Sequence, residues 1–326
     1  MKIAVTGGLG FIGSNFILYE FKNYKDVEII NVDKETYASN RKYLAAIEND
    51  SRYRFVKADI SRKGAIEKHL KDVDIIVNFA AESHVDRSIS DSTEFVYSNY
   101  IGVKNLLEIA RDRDIRLHQI STDEVFGSLP LNSKRKFNEK TPYNPKNPYS
   151  ATKAAADHLI SAFQNTYGVK ATISYSGNNY GPHQHPEKLI PKTILSFLAG
   201  RKITLYGRGN QVRDWVYVED HCSAIDLIMR KSKIGWKYIV SSGSVLSNKE
   251  VVDKIKAVMN IKSDSIDFVI DRPGHDLKYQ SDSSLIRKEL GWSPRINFDK
   301  GIRITVRHYL ENPFLYVRED LENRDI

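Results

Sequence analysis

Cysteine occurs once among the 326 residues, at Cys222, so the chain forms no internal disulfide and has no cysteine-rich metal site. A lone thiol of this kind is read as packing. Long apolar runs are also missing: no window approaches the ~18 apolar residues of a membrane span, so no membrane partner is expected. Met1 to Thr6 runs directly into a strand-like segment without the charged start, apolar stretch and cleavage site of a secretion signal, and a cytoplasmic location is expected. Basic blocks are scarce as well. Lys and Arg number 49 against 41 Asp and Glu, a net charge of +8, but they are spread along the chain, and the strongest cluster, Lys134-Arg135-Lys136, is brief. Nucleic-acid binding calls for a basic patch interleaved with stacking aromatics, so no nucleic-acid partner is expected. The excess suits a solvated surface or the attraction of a small anionic substrate. His183-Gln184-His185 lacks an acidic partner at a ligand spacing, and no metal is expected.

What is present is an alternation of short β-branched runs with amphipathic stretches, the pattern of an α/β protein. Strands are expected at Lys2 to Thr6, Val27 to Val32, Arg52 to Val56, Asp74 to Phe79, Ile115 to Ile120 and Ala171 to Tyr175, with helices such as Ser14 to Tyr24 and Phe95 to Arg113 between them. The fold class that follows is a Rossmann-type, doubly wound parallel sheet with a smaller C-terminal α/β lobe that binds substrate. Pro, His and Gly crowd Tyr180 to Pro186, and turn signals recur at Gly207 to Asn210 and Arg272-Pro273-Gly274. Residues 1–176 are therefore assigned to the Rossmann domain and 177–326 to the substrate lobe, with Trp236 to Val240 as a strand that could return to the main sheet. Arg318 to Ile326 is expected to fray.

Gly7, Gly10 and Gly13 stand at G-x-x-G-x-x-G spacing between the first strand and the first helix. Glycines there let the backbone turn tightly and approach a pyrophosphate bound at the helix start. Asp33 ends the second strand, where a carboxylate binds the adenosine ribose hydroxyls and repels a 2′-phosphate. NAD is thus expected over NADP, with Lys34 softening the preference. Asp59-Ile60, ending the third strand, either flanks the adenine or caps a helix.

Two further constellations carry chemistry. Ser121-Thr122-Asp123-Glu124 places a hydroxyl and two carboxylates at a strand end, and paired carboxylates supply the separate acid and base that eliminating water requires. Tyr149 and Lys153 share a helix face at i, i+4, a placement expected to lower the phenol's pKa toward working pH. Tyr53/Lys57 and Tyr100/Lys104 have the same spacing, but the first pair lies in a strand and the second inside a helix. Only Tyr149 begins a helix, after Pro142, Pro145 and Pro148.

With these residues the chain resembles the extended short-chain dehydrogenase/reductases and, among them, the dTDP-glucose 4,6-dehydratases. The likeness covers nearly the whole length, through Ala80 to Ser88, Thr122-Asp123-Glu124, Tyr149/Lys153, Ser176 to Pro182, Pro186 to Pro191, Gln211 to Trp215 and Arg272 to Asp276. Phe126, where the family usually has Tyr, and Leu277-Lys278, in place of a more basic pair, depart from it. The resemblance implies that Tyr149 takes the proton of the sugar's 4-hydroxyl, oriented by Thr122, while NAD takes hydride from carbon 4. Glu124 would then remove the carbon-5 proton and Asp123 would protonate the leaving 6-hydroxyl. Hydride returns to carbon 6, and the product is dTDP-4-keto-6-deoxyglucose. It also implies that Phe11, Ile12, Ala80, Ala81, Ser98 and Asn179 join the cofactor site, and that Ser83, Asn178, Lys188, Leu189, Tyr206, Arg213, Asn248, Arg272 and His275 bind the nucleotide sugar. A homodimer built on Phe95 to Arg113 and Pro148 to Tyr167 is implied as well. A UDP-glucose 4,6-dehydratase, a nucleotide-sugar 4-epimerase and a catalytically silent NAD-binding protein are the competing readings.

Overall fold

Strands buried on both faces read as continuous apolar runs, and such runs pair in parallel when helices cross between them. In the computed structural model they are β1 (Lys2–Thr6), β2 (Glu28–Asp33), β3 (Tyr53–Lys57), β4 (Ile75–Asn78), β5 (Arg116–Thr122) and β6 (Ala171–Ser176), each end within two residues of the sequence reading. Six more strands follow: β7 (Asn178–Tyr180), β8 (Ile203–Tyr206), β9 (Val212–Tyr217), β10 (Lys237–Val240), β11 (Val245–Ser247) and β12 (Ile266–Val269). The structure describes residues 1–262, 264–271 and 274–316. Arg272-Pro273 and the charged end from Arg318 to Ile326, two segments with sequence-based expectations, lie outside the described residues.

The main sheet has the order β10-β6-β5-β4-β1-β2-β3, and every neighbouring pair is parallel. Helices cover both faces. One apolar layer joins Val103, Leu106 and Ile109 of the helix Gly102–Arg113 to Ala156 and Ile160 of the helix Pro148–Tyr167. On the other face Phe16 and Ile17 of the helix Phe11–Asn23 meet Cys222, Ile225 and Met229 of the helix Val218–Lys231. Cys222 is fully buried there, a packing residue whose thiol burial pushes well above its ordinary pKa. The helix Val218–Lys231 and β10 both belong to the main sheet although they follow residue 177, so the chain crosses between lobes more than once. No described helix is long and apolar enough to cross a membrane.

The second lobe gathers around Tyr180, Ile194, Trp215, Val252, Ile302 and Tyr309. It carries the three-stranded sheet β11-β9-β7 and the pair β12-β8. β7 follows β6 after one residue, Gly177, so the lobe grows directly out of the main sheet's carboxyl edge and faces the ends of β5 and β6.

The helix Pro148–Tyr167 presents its first turn to that edge. Asn147 forms a capping box with Ser150, accepting the Ser150 N–H at 2.8 Å while its own N–H donates to Ser150 Oγ at 3.3 Å, and Pro148 occupies N1. Tyr149 is therefore held at the second helical position. Gly168, left-handed at φ 69°, closes the helix.

Gly301, in the helix Phe298–Glu311, gives a test of the second core. Alanine there would gain about 1 kcal/mol of helix propensity. Its Cβ, however, would lie 2.2 Å from Tyr180 Oη and 2.9 Å from the ring carbon that bears it. Overpacking of this kind costs about 1–3 kcal/mol, so Gly301→Ala is expected to lower the urea midpoint; a raised midpoint would show that Tyr180 shifts freely.

Candidate active site

An open parallel sheet binds ligand where its strand order reverses, here between β1 and β4. Gly7 leaves β1 at φ 72°, and a Cβ on it would stand 2.6 Å from Ala80 N, just beyond β4. A Cβ on Gly13 would stand 2.4 Å from Gly7 O, so only glycine lets the helix Phe11–Asn23 pack onto the loop. That helix has no side-chain cap at Gly10, which leaves its first N–H groups available to an anion. A cleft opens beside it, lined by Gly7, Gly10, Asp33, Lys34, Asp59, Ile60, Ala80, Ala81 and Ser98. Val32, Thr36, Ala38, Ser39, Ala58, Phe79 and Glu82 complete the wall, and none of these was singled out as a site residue from the sequence. Phe11, Ile12 and Gly13 support the loop and are outside the lining.

Asp33 is buried and already engaged: Oδ2 accepts Leu9 N at 3.0 Å, and Oδ1 accepts Glu35 N and Ser39 Oγ, both at 2.8 Å. Lys34 Nζ lies 3.4 Å from Glu94, 3.9 Å from Asp59 and 3.9 Å from Glu82, and donates to Ser98 Oγ at 3.1 Å. Three carboxylates thus surround the cation that was expected to soften rejection of a 2′-phosphate. Asp59 Oδ1 also accepts Ser61 N at 2.8 Å, so it both lines the cleft and holds the following turn. The glycine cradle and the acidic wall fit a dinucleotide without a 2′-phosphate.

At the end of β5, Thr122 caps the short helical turn Asp123–Phe126 by accepting Glu124 N at 3.3 Å. This turn aims both carboxyl groups at the first turn of the helix Pro148–Tyr167, where Thr122 bonds Tyr149 and Asn147 bonds Glu124. Asp123 is 1% exposed, and its Oδ2 has no partner. Burial, then the charges of Glu124 and Asp214, push its pKa well above the ordinary value. Glu124 is raised by burial too, but Arg213 opposes the shift. Both carboxyls are raised, but in unlike fields: the leading charges on Asp123 are the anions Glu124 and Asp214, whereas the leading charge on Glu124 is Arg213, so Asp123 holds its proton the more firmly.

The expected lowering of Tyr149 by Lys153 is not what the fold produces. Burial, with Glu124 next, pushes the phenol up instead. Lys153 Nζ donates to Ile120 O at 2.7 Å, and burial lowers the ammonium to about 8. The spacing identified neighbours on one helix face; it could not register that both are out of water. The two control pairs are engaged elsewhere: Tyr53 Oη accepts Asn31 Nδ2 and Lys57 pairs with Glu35, while Tyr100 lies in the π-helical turn Tyr97–Ile101 and Lys104 pairs with Glu108.

The substrate-side residues fall into two groups. Lys188 donates to Ser83 O at 3.2 Å, and its charge reaches Glu124, so both sit near the carboxylates. Asn178 and Asn179 stand on β7 at the same edge, Asn179 held by His221 Nδ1 at 2.9 Å and donating to Ser176 Oγ at 3.0 Å. Arg213 is 6% exposed, stacks on Tyr279 at 4.2 Å and donates to Val212 O and Asp276 O, both at 2.9 Å. Arg213 was expected to bind the nucleotide sugar; it stands in the wall beside Glu124, its guanidinium anchored on those two carbonyls. Farther out, Tyr206 meets His275 edge-on, His275 pairs with Asp271 at 2.6 Å, Asn248 N donates to Gln211 O, and Leu189 packs on the second core. Arg272 lies outside the described residues. Sequence reading missed Glu187, on which Tyr37, His84, Arg87, His185 and Lys188 converge within 3.9 Å, joining loops of both lobes beside the cleft. His183 bonds Ser14 Oγ and stacks on Tyr43.

A doubly wound sheet with a glycine cradle, a helix-borne Tyr149/Lys153 pair and two adjacent carboxyls defines a short-chain dehydrogenase/reductase equipped for elimination. The family model described as GDP-mannose 4,6 dehydratase matches residues 4–305, and the chain belongs to this family of nucleotide-sugar dehydratases. It is 44% identical to a dTDP-glucose 4,6-dehydratase of Haemophilus influenzae, over 96% of this chain and 98% of that one. It is 45% identical to the low-salt glycan biosynthesis protein Agl12 of Haloferax volcanii, over 95% and 99%. Among solved structures it is similar to DesIV, the dTDP-glucose 4,6-dehydratase of Streptomyces venezuelae with NAD and a TDP ligand bound, at a TM-score of 0.94 and 41% identity over 98% and 100% of the two chains.

The wall around Glu124 generates a pH prediction. Arg213 lowers the Glu124 pKa, so Arg213→Ala should raise it and move the acid limb of kcat/KM to higher pH, since activity needs the anion and is lost as pH falls through that value. An unmoved limb with weakened substrate binding would return Arg213 to a ligand contact alone.

Proposed function

We propose that this chain dehydrates dTDP-glucose to dTDP-4-keto-6-deoxyglucose, using NAD that ends each cycle oxidised. The observation that carries the reading is the unequal carboxyl pair, Asp123 and Glu124, beside Tyr149 at the end of β5. The named relatives, dTDP-glucose 4,6-dehydratases, support the same substrate.

Gly7, Gly10, Asp33, Asp59, Ala80 and Ser98 are the residues that would hold the dinucleotide, with Lys153 and Asn179 toward its nicotinamide end. NAD supplies, when bound, the hydride acceptor for carbon 4 and the donor for carbon 6. Thr122 orients the 4-hydroxyl, and Tyr149, which Thr122 bonds, removes its proton. The ketone acidifies the carbon-5 proton. Glu124 takes that proton while Asp123, kept protonated by burial and by Asp214, delivers one to the leaving 6-hydroxyl. Glu124 later returns a proton to carbon 5. Lys188 and Ser83 flank the sugar, and Tyr206, Asn248 and His275 stand where the nucleoside would lie.

A 4-epimerase has no use for the carboxyl pair, and a silent binding protein has no use for Tyr149 or Lys153 either. Incubation with NAD and dTDP-glucose should yield a product lighter by one water. Unchanged mass with inverted stereochemistry would make the protein an epimerase, and unaltered substrate would leave it a binder.

A homodimer fits this reading. Val96 is exposed, and with Tyr100, Ala151, Ala155, His158 and Ala162 it forms an apolar groove along two helical segments. Sedimentation should give twice the chain mass of 37.3 kDa, and Ala155→Arg should return it to one; a monomer in the unaltered protein would rule the dimer out. A cytoplasmic location fits too, because the dinucleotide and the sugar nucleotide are held there.

Three substitutions separate the proposed steps. Glu124→Gln should still oxidise carbon 4 and accumulate bound NADH while water loss collapses. Asp123→Asn should retain exchange of the carbon-5 proton with solvent deuterium, and Tyr149→Phe should abolish both signals. Deuterium exchange at carbon 5 in Tyr149→Phe would contradict these roles.

A further inference from the structure

The helix Pro148–Tyr167 carries a third ionisable residue on the same face. Tyr149, Lys153 and Asp157 follow one another at i, i+4 and i+8, and all three are buried, Asp157 to 0% exposure. The oxidation and elimination proposed for the site leave no place for Asp157, which sits two turns along the helix from Tyr149. It is nevertheless held firmly: Ser121 Oγ donates to Asp157 Oδ2 at 2.6 Å, and the neighbouring carbonyl of β5, Ile120 O, receives Lys153 Nζ at 2.7 Å. Consecutive residues of one strand thus pin the carboxylate and the ammonium in adjacent seats. The second oxygen, Oδ1, has no hydrogen-bond partner.

An ammonium ion in an apolar interior gives up its proton unless a negative charge stands near it. We propose that Asp157 is a positioning residue of the reaction: anchored by Ser121, it keeps Lys153 an ammonium ion at the nicotinamide end of the site, where carbon 4 is oxidised. The inference rests on the dehydratase reading given above. Asp157 is the group that opposes the effect of burial on Lys153, whose pKa stands at about 8, while burial raises Asp157 itself to about 6. Between those values both are ionised. The other groups facing Asp157 are Lys237 from β10, whose charge helps keep the carboxylate ionised, and the phenols Tyr143 and Tyr175, which bond one another. Tyr149 also feels the Asp157 charge, weakly and in the sense that disfavours phenolate, so loss of Asp157 slows oxidation only by way of Lys153.

The sign of the test follows. Oxidation of carbon 4 needs the Lys153 ammonium and is lost as pH rises through its pKa. Asp157→Asn removes the charge that raises that pKa, so the alkaline limb should move to lower pH, by about one unit. The readout is the first-turnover rise of reduced-cofactor absorbance in NAD-loaded enzyme mixed with dTDP-glucose, followed across pH, because it precedes any step of Asp123 or Glu124. Asp157→Glu should restore the limb. Ser121→Ala keeps the carboxylate but removes the donor that lowers its pKa, so Asp157 protonates more readily and the limb should move in the same direction by less. Equal slowing at every pH in both Asp157→Asn and Ser121→Ala, with the limb unmoved, would make Asp157 a packing residue and overturn the proposal. Failure of the unaltered enzyme to reduce bound NAD with dTDP-glucose would instead overturn the dehydratase reading on which it rests.

Discussion

A carboxyl group taken out of water must be paired, hydrogen-bonded or protonated, and the placement of Asp123 and Glu124 under that constraint organises the rest of the molecule. They stand at the end of β5 because a parallel sheet delivers its strand ends to one edge, and Asp123 is buried and Glu124 half-buried there, beside β9 of the second lobe. Each needs a different remedy. Glu124 has Arg213 and the Asn147 amide; Asp123 has an unpartnered oxygen and a second anion, Asp214, nearby. Asp214 is itself held by Ser241, Ser242 and Gly243. The difference between acid and base is therefore made by residues of the second lobe acting on two consecutive residues of the first.

The same constraint explains why the helix Pro148–Tyr167 is built as it is. Its capping residue, Asn147, also bonds Glu124, so the side chain that starts the helix fixes the base. Tyr149 follows at the second position, and Lys153 and Asp157 continue the row into the interior. Buried groups of both signs on one face would be costly in isolation. Here the backbone carbonyl of Ile120 and the hydroxyl of Ser121 share the load, and both come from the strand that ends in the carboxyl pair.

What the sequence made legible was local. The six leading strands, the glycine loop, Asp33 at the end of β2 and Tyr149 at a helix start each depend on a few consecutive residues or one helical period. Contacts that depend on distant packing were illegible for that reason. Glu187 gathers partners from residues 37 to 188, Arg213 turned out to be anchored on the carbonyls of Val212 and Asp276, and Lys34 is enclosed by Asp59, Glu82 and Glu94, all distant from it in sequence. Tyr149 is the instructive error. Its spacing to Lys153 was read as a lowered pKa, yet burial and Glu124 drive it upward, because desolvation leaves no mark in a sequence period. Asp157 could have been found: it repeats the same four-residue step beyond Lys153.

The central claim is that one buried site oxidises carbon 4 and reduces carbon 6 of the same sugar before it opens. A mixture of dTDP-glucose deuterated at carbon 4 and unlabelled dTDP-glucose marked with carbon-13 tests it directly by mass spectrometry of the products. The account predicts deuterium at carbon 6 only in products without carbon-13. Deuterium in the carbon-13 products, or its loss to solvent, would contradict it.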